Sequence, residues 1–325
     1  MNVEMVIQEH NGRTFDISQL VSNIKWSTDL VSDQPGKLKF DYVEVAEIIP
    51  DYGNRIRLRI NNQNLFFGRV SDKERNQNNV MSVTAKDLMW DLANEHTYVF
   101  PAMTSSQIFS RICRDKAIPY RIVNASNFNA VEKVYDNISL FDMLQDAFDQ
   151  TLIAHRQWFF VRDNFGTLEH VNISSQQTSL VIGDASMATG FNFKGSISQD
   201  TFNRVRLVRE NQETKRREVY VVQDSNNISR WGLRQLHETV DENLNPAQVE
   251  ARATMLLRAK NRPTRELKIT ALGDLRVRAG NGIILSIARL EDEGFASIQR
   301  ALVCSCTHEW TSIGHLMDLT LRVVN

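Results

Sequence analysis

The sequence predicts an α+β fold that is predominantly β, in which one small β-module occurs twice with a mixed α+β segment between the copies. Apolar and polar residues alternate over much of both ends of the chain, as in half-buried strands. Two distant stretches also read almost alike: LKF at residues 38–40 with GNRIRL at 53–58, and LKI at 267–269 with GNGIIL at 280–285. In each, a Gly-Asn turn suited to positive φ precedes an alternating strand. Short patterns also recur by chance, so the repeat alone does not prove a duplication.

The first region, residues 1–95, shows the period-two alternation of antiparallel strands most clearly at residues 37–43 and 54–60. Candidate turns rich in Gly, Asn and Pro separate the apolar runs at residues 11–12, 34–36, 51–54 and 76–79. The two strands that flank the last turn are predicted to form a hairpin. The region as a whole is typical of a barrel or a sandwich.

The middle region, residues 96–190, mixes helices and strands. Thr104 and Gln107 form a capping box that begins a helix, and Pro119 stops it. Ser139 begins a second helix, whose apolar stripe recurs at helical spacing. Strands at residues 158–161 and 168–171, joined by a turn at 163–166, complete this α+β segment.

The last region, residues 191–325, returns to strands. Residues 202–209 and 219–222 are predicted to form a hairpin around a charged turn at 213–217. One helix interrupts the strands, with Asn245 as N-cap and Pro246 at its first position, and it ends before Pro263. The second copy of the repeat follows, and residues 316–323 form the final strand.

Composition excludes several classes of protein. Lys and Arg number 38 and Asp and Glu 39, so the formal charge of −1 gives no general attraction to nucleic acid or to an anionic membrane. The sequence predicts no membrane span and no signal peptide, because it has neither a run of ~18 apolar residues nor a basic start before an apolar stretch. The three cysteines, Cys113, Cys304 and Cys306, do not suggest a disulfide framework and favour a reducing compartment.

The strongest metal-like cluster is Cys304, Cys306 and His308, because residues at i, i+2 and i+4 share one strand face. Neighbouring ligands on one flat strand cannot close a tetrahedron by themselves. We therefore interpret the cysteines as small packing residues, with His308 at a wetter rim. Phosphate-binding loops and zinc-protease motifs do not occur in the sequence.

Candidates for catalysis are weak. Cys113 lies in the middle of a predicted helix, which favours packing over nucleophilic chemistry, and no G-x-S-x-G motif supports a serine hydrolase. Asp87, Asp91 and Glu95 stand at helical spacing and are a carboxylate candidate only slightly better than a solvated helix face. We predict no catalytic, cofactor-binding or metal-binding residue.

A basic stretch contains Arg204, Arg206 and Arg209 with residues 215–217, and such a stretch can contact phosphate or an acidic partner. Arg204 and Arg206 share one strand face, so the solvated side of a half-buried hairpin is the favoured interpretation. Aromatic residues for base stacking do not interleave with these arginines.

Eight short segments, taken in order, resemble the tail-hub proteins of PBSX-like defective prophages and related contractile phages. This is the XkdQ-like family, distantly related to the T-even and Mu-type baseplate hubs. The resemblance spans nearly the whole chain. Its segments are residues 34–40 (QPGKLKF), 67–70 (FGRV), 83–90 (VTAKDLMW), 104–108 (TSSQI), 203–205 (NRV), 230–232 (RWG), 251–253 with 256–257 (ARA and LL) and 273–280 (GDLRVRAG).

The resemblance implies two tandem tail-tube-like antiparallel β-barrels, residues 1–95 and 191–325, with the α+β segment 96–190 between them and a helix inserted in the second barrel. It implies a homotrimer whose six barrels adapt a hexameric tail tube to a trimeric spike. The implied partners are the tube protein, the spike protein, other baseplate proteins and the tape-measure protein. The implied setting is assembly in the bacterial cytoplasm and release in a virion or a phage-tail-like bacteriocin.

The same resemblance leaves a rival, because some relatives are wall-degrading enzymes or sit beside them. A peptidoglycan hydrolase acting during tail penetration is therefore the alternative to a structural, non-enzymatic hub. The sequence contains no lytic motif, and because it ends at the expected last strand of the second barrel, we expect no appended catalytic domain. A third hypothesis, an oligonucleotide- or oligosaccharide-binding barrel, is disfavoured by the near-neutral charge.

Overall fold

The computed structural model describes residues 2–30, 34–75, 77, 79–211, 216–240, 242, 244–312 and 314–323. These residues form 23 strands, four α-helices and three short 3-10 helices. In chain order the first half contains β1 Val3–Gln8, β2 Thr14–Asp16, β3 Val21–Asp29, β4 Lys37–Val43, β5 Arg55–Ile60, β6 Gln63–Arg75, β7 Val80–Asp87, a 3-10 helix Leu88–Ala93, β8 Glu95–Phe100, β9 Met103–Thr104, α1 Ser105–Asp115, β10 Tyr120–Ile122, β11 Asn129–Ala130, β12 Lys133–Ser139 and α2 Leu140–His155.

The second half contains β13 Phe159–Asp163, β14 Leu168–Asn172, a 3-10 helix Ile173–Gln176, β15 Gln177–Gly183, β16 Ala188–Ser196, β17 Arg204–Asn211, β18 Arg216–Gln223, α3 Ser225–Trp231, β19 Gln235–Val240, α4 Pro246–Lys260, β20 Thr264–Leu272, β21 Gly282–Ser286, a 3-10 helix Ala288–Glu293, β22 Gln299–Thr311 and β23 Gly314–Val323. The predicted α+β fold, predominantly β, is confirmed.

The chain forms two compact units, one of residues 1–191 and 268–325 and one of residues 192–267. The main sheet has the strand order β16-β20-β23-β22-β3-β4-β7-β6-β5-β1-β2, and β21 lies between β22 and β15. The three-part division at residues 95 and 190 stays a prediction.

Strands of the first copy of the repeat bury alternate residues, as the period-two pattern predicted. In β4 the side chains of Leu38, Phe40 and Tyr42 are fully buried, whereas Lys39 between them is exposed. They pack in one core with apolar residues of β1, β5, β6 and β7. The predicted hairpin of β6 and β7 is confirmed, although residues 76 and 78 of its predicted turn lie outside the described residues.

A second core lies in the middle segment, where α1 and α2 pack with apolar side chains of β13 and β14. The predicted capping box is confirmed: the Gln107 N–H donates to Thr104 Oγ1, and the Thr104 N–H donates to Gln107 Oε1. Ser139 caps α2 as predicted. The predicted turn at residues 163–166 joins β13 to β14 and has positive φ at Phe165 and Gly166.

In the unit of residues 192–267, β17 pairs antiparallel with β18, which confirms the predicted hairpin, and parallel with β19. Residues 213–215 of its predicted charged turn lie outside the described residues. Helix α4 begins at Pro246 with Asn245 as its cap, as predicted, and its Val249 and Ala253 join a core with Val205 and Leu207. The short helix α3 was not predicted.

Three of the described strand pairs are parallel: β10–β14, β15–β21 and β17–β19. Within the described ranges, the structure has no helix that is both long and apolar enough to span a membrane.

Candidate functional site

The two Gly-Asn turns of the repeat adopt the same hydrogen-bonded structure. In the first, Asn54 Oδ1 accepts from the Asp51 N–H at 2.8 Å, and the Asn54 N–H donates to the Asp51 carbonyl at 3.0 Å. In the second, Asn281 Oδ1 accepts from the Arg278 N–H at 2.9 Å, and the Asn281 N–H donates to the Arg278 carbonyl at 3.2 Å. Both asparagines are buried, and each side chain satisfies a backbone donor of its turn through a part-buried hydrogen bond.

Each turn is also tied to the same point of the next long strand. The Gly53 N–H donates to the Val70 carbonyl at 2.8 Å, and the Gly280 N–H donates to the Val303 carbonyl at 2.9 Å. In return, each valine N–H donates to the carbonyl of the turn asparagine at 2.9 Å. The φ angles of +78° at Gly53 and +90° at Gly280 are ones that a side chain disfavours, which explains the glycine in both copies.

A β-bulge follows each of these valines. The register of β6 against β7 shifts between Val70 and Asp72, and the register of β22 against β23 shifts between Val303 and Ser305. The strand order is shared as well, since β3-β4-β7-β6-β5 corresponds to β16-β20-β23-β22-β21. The repeat seen in the sequence is therefore one module used twice, with the same turn, bulge and strand order.

The two copies meet where β22 pairs antiparallel with β3, a contact that we call the β22–β3 junction. The six residues Ser305–Trp310 lie opposite Asp29–Ile24. Ser27 Oγ and Thr307 Oγ1 are 2.9 Å apart, and Lys25 Nζ lies 2.8 Å from Glu309 Oε1. Sequence reasoning missed this junction, because its strands are about 280 positions apart and no local pattern marks which edges meet.

His308 lies at the centre of this junction and is fully buried, so the prediction of a wetter rim is wrong. Its ring is nearly parallel to the rings of Trp26 and Trp310, whose centroids lie 5.3 and 5.7 Å away. Nε2 lies 2.7 Å from the Val277 carbonyl, and Nδ1 lies 2.9 Å from His315 Nε2. Burial lowers the pKa of His308 to about 4, so the ring is neutral at pH 7.

The two nearby cysteines pack in the core. Cys304 is the extra residue of the β22 bulge, so the predicted shared face of Cys304, Cys306 and His308 is interrupted there. Cys306 Sγ lies 3.3 Å from His308 Nε2, and burial raises its pKa. Nowhere in the described part of the chain do three or more His, Cys, Asp or Glu side chains group in a way that could hold a metal ion.

A buried charged cluster joins the two copies of the module to the middle segment. Asp87, at the end of β7, accepts from the Met89 N–H at 3.1 Å. Asp163, at the end of β13, accepts from the Gly166 N–H at 3.0 Å through Oδ1, and its carbonyl accepts from Arg278 at 3.1 Å. The three charged residues line a cavity of about 20 Å³, which is room for about one water.

Burial perturbs all three groups of this cluster. It raises the pKa of Asp87 well above its ordinary value, and the neighbouring Asp163 carboxylate adds to the rise. Burial also raises the pKa of Asp163 to about 6 and lowers the pKa of Arg278 to about 10. Two carboxyl groups that share one buried site resist ionising together, so the cluster titrates as a unit.

Glu169 anchors the outer part of this network and is fully buried. Burial alone would raise its pKa, but hydrogen bonds from Asn164, Arg121 and Arg162 outweigh burial and hold the pKa below its ordinary value. Arg162 Nε lies 2.8 Å from one carboxylate oxygen, and Asn164 Nδ2 lies 2.8 Å from the other. The carboxylate is therefore a structural anion in the middle segment.

The remaining sequence candidates do not converge on one site. Asp91 forms an ion pair with Arg69, whereas Glu95 is exposed at the start of β8. Cys113 is buried in α1 as predicted, and burial raises the pKa of its thiol to about 12. A thiol with that pKa is a poor nucleophile at neutral pH.

The basic stretch matches a half-buried hairpin. Arg204 and Arg206 are partly exposed and alternate with buried valine and leucine residues. Arg209 is buried and forms an ion pair with Glu218 at 2.6 Å. Lys215 lies outside the described residues.

One family model and two curated proteins match most of this chain. A family model described as YQBQ-like matches residues 24–322. The uncharacterized protein YqbQ of Bacillus subtilis (strain 168) is 29% identical over 252 residues, which cover 76% of this chain and 74% of YqbQ. The phage-like element PBSX protein XkdQ of the same organism is 26% identical over 281 residues, which cover 86% of this chain and 82% of XkdQ.

Among solved structures, the 43 kDa tail protein of prophage MuSo2 from Shewanella oneidensis matches 98% of this chain and 98% of its own, with a TM-score of 0.73 and 15% identity. At that identity the match shows a shared fold. The resemblance to XkdQ-like proteins that the sequence segments indicated is confirmed.

Proposed function

We propose, from the premise that this chain belongs to the YQBQ-like family, that it is a structural protein of a phage-like contractile tail and that three copies form the hub of the baseplate. The hub would join the hexameric tail tube to the trimeric spike. The relatives named for a phage-like element and for a prophage tail support the tail assignment.

The duplicated module is the observation that carries this proposal. Two copies with the same turn, the same bulge and the same strand order give one chain two nearly equivalent positions. Three such chains would offer six similar positions around an axis and still keep three-fold symmetry elsewhere. That combination is what an adaptor between a six-fold and a three-fold partner requires.

The chemistry of the candidate residues supports a structural role. Asp87, Cys113 and His308 are buried, and Asp91 is held in an ion pair. Each of them has a packing or hydrogen-bonding role in the fold. The peptidoglycan-hydrolase alternative has no supporting arrangement of these residues.

The proposed partners are the tube protein on one face and the spike protein on the other, with other baseplate proteins and the tape-measure protein nearby. Assembly would take place in the bacterial cytoplasm, and the released virion or phage-tail-like bacteriocin would carry the hub. Recognition of these partners would rest on shape and local contacts, because the net charge is only −1.

Light scattering on the purified chain, alone and co-expressed with the neighbouring tube and spike genes, tests this proposal. We expect a mass of three times 37.3 kDa for the chain, or a complex that contains three copies of it. A monomer that ignores both partners would overturn the hub assignment. Clearing of peptidoglycan by the same preparation, lost on Asp91→Asn, would favour the hydrolase instead.

A further inference from the structure

The β22–β3 junction shows how one module can bind the next. It uses the half of β22 that follows the bulge, and it uses β3, the outer strand of the other copy. By the shared strand order, β6 corresponds to β22 and β16 corresponds to β3. The chain therefore contains a second, matching pair of strands, and these two strands do not pair with each other.

The half of β6 that follows its bulge has a free edge. Before the bulge β6 pairs with β5 on one side and β7 on the other. After the bulge, residues 72–75 pair with β7, and in the described part of the chain no strand lies on their other side. The corresponding residues of β22 pair with β3 at this position.

Strand β16 is the matching free edge, because the described residues place only β20 beside it. It has nine residues and no proline, and it leaves Phe191 36% exposed. In β3, the corresponding strand, Ile24 and Trp26 are each only 4% exposed, in the junction that β22 completes. A long, proline-free edge with an exposed aromatic residue is a template for another strand.

We propose that β6 of one copy, through Asp72–Arg75, pairs antiparallel with β16 of a second copy and so repeats the β22–β3 junction between chains. This inference rests on the proposed function, because it supplies the contact that a three-chain hub needs. The contact joins two different surfaces, so successive copies assemble head to tail, and closure after three copies gives six modules in a ring.

Charge supports this pairing. Lys73 and Arg75 of β6 already have partners in their own chain, at Asp51 and Glu44. Glu74 is exposed, and counting from the shared bulge it corresponds to Thr307, which pairs with β3 in the junction. Lys194 of β16 is exposed as well, so an acidic side chain on one edge can face a basic one on the other.

Disulfide trapping tests the pairing directly. Glu74→Cys is placed in one chain and either Asn192→Cys or Lys194→Cys in a second chain that carries a mass tag, and the two chains are co-expressed, so that they assemble together, and then oxidised. The two β16 positions allow for the register. The native cysteines Cys113, Cys304 and Cys306 are buried and do not compete. We expect disulfides between the tagged and untagged chains, and none when either chain is expressed alone.

A chain that carries both cysteines should give covalent species that stop at three chains. Arg57→Cys replaces Glu74→Cys as the control, because Arg57 is exposed but lies on β5, which has a strand on each side.

The mass of each mixture, measured by light scattering, distinguishes three outcomes. A trimer without mixed disulfides overturns the pairing and leaves the hub intact. A monomer, even with tube and spike present, overturns both. A ladder beyond three chains supports the pairing and overturns the trimeric hub.

Discussion

At the scale of single residues, the buried asparagines of the two turns supply a hydrogen-bond acceptor that the turn backbone lacks. Asn54 and Asn281 each accept a hydrogen bond from the residue three positions earlier, which closes the turn around a glycine with positive φ. The sequence showed the Gly-Asn pairs. It did not show that both side chains point inward, since that depends on the strands that cover them.

Asn54→Ala and Asn281→Ala should each lower the free energy of unfolding by about 1–3 kcal/mol, because a part-buried N–H of the turn loses its acceptor. Urea denaturation of the two variants measures this. Asn54→Asp and Asn281→Asp keep the acceptor oxygen and serve as matched controls. Their free energies of unfolding should fall by less than those of the alanine variants. A cost at one site and none at the other would contradict the equivalence of the turns.

Asp163→Asn should change how stability depends on pH. Burial raises the pKa of Asp163 in the folded chain to about 6, above its ordinary 3.8. The protonated carboxyl group therefore contributes fully to the free energy of unfolding below about pH 4, and this contribution is lost as the pH rises through about 6. The asparagine cannot ionise. As the pH rises over this interval, the free energy of unfolding of the variant should therefore increase relative to that of the native chain, by on the order of 1–3 kcal/mol.

Unfolding free energies at half-unit steps from pH 4 to pH 8 provide the measurement for Asp163→Asn. Asp292→Asn is the matched control, because Asp292 is exposed. A difference between the Asp163 variant and the native chain that stays constant across this range would show that the carboxyl is not perturbed by the cluster.

At the scale of elements, the β22–β3 junction depends on a ring stack. His308 lies beside Trp26 and Trp310 and also contacts the Val277 carbonyl, so one side chain joins both strands to the loop before β21. Because the ring is buried and neutral, it contributes both apolar packing and hydrogen bonds.

His308→Ala should lower the free energy of unfolding by about 2–4 kcal/mol, since it opens a cavity and leaves the buried Val277 carbonyl only the weak thiol donor of Cys306. Guanidinium denaturation followed by circular dichroism checks the size of the effect. His237→Ala, at an exposed position of β19, should change stability by less than about 0.5 kcal/mol. Equal effects at the two positions would contradict a special role for the junction.

The elements that sequence reasoning found are those whose signals are local. Helix α4 was predicted because Asn245 and Pro246 mark its start, and β4 because its apolar residues alternate. Helix α3 was missed because its seven residues bury no apolar side chain. The bulges after Val70 and Val303 were missed because a bulge is a relation between two strands.

The candidate site was harder to predict than the fold for the same reason. The charged cluster unites Asp87, Asp163 and Arg278, which come from three distant segments. Each is an ordinary charged residue in its own sequence context. Only the packing of the segments makes them a buried, mutually perturbed group.

At the scale of the whole molecule, two equivalent modules have unequal surroundings. One copy pairs β5 antiparallel with β1, whereas the other pairs β21 parallel with β15. The repeated part supplies a common frame, and the flanking strands make the two copies distinguishable. In the proposed assembly of three chains, the six modules would be spaced around one axis with near six-fold symmetry. Only the three-fold symmetry would relate modules with identical surroundings.

Phe191→Asp should weaken the association of chains at least tenfold and leave the fold of each chain intact, because Phe191 is partly exposed on the proposed contact edge. Sedimentation over a range of concentrations measures the association, and circular dichroism monitors the fold. Val134→Asp, at an exposed apolar position on β12 that lies outside the proposed contact, is the control. Association that is unchanged by Phe191→Asp would contradict the assignment of β16 to the interface.

The stacking of Trp26 and Trp310 against His308 also makes the β22–β3 junction detectable by tryptophan fluorescence. Two of the five indoles of the chain are held there, dry and against an imidazole. Separation of β22 from β3 would bring water to both rings and move their emission to longer wavelengths. The protein thus carries an intrinsic fluorescent reporter of that contact, which can be followed in real time without a dye.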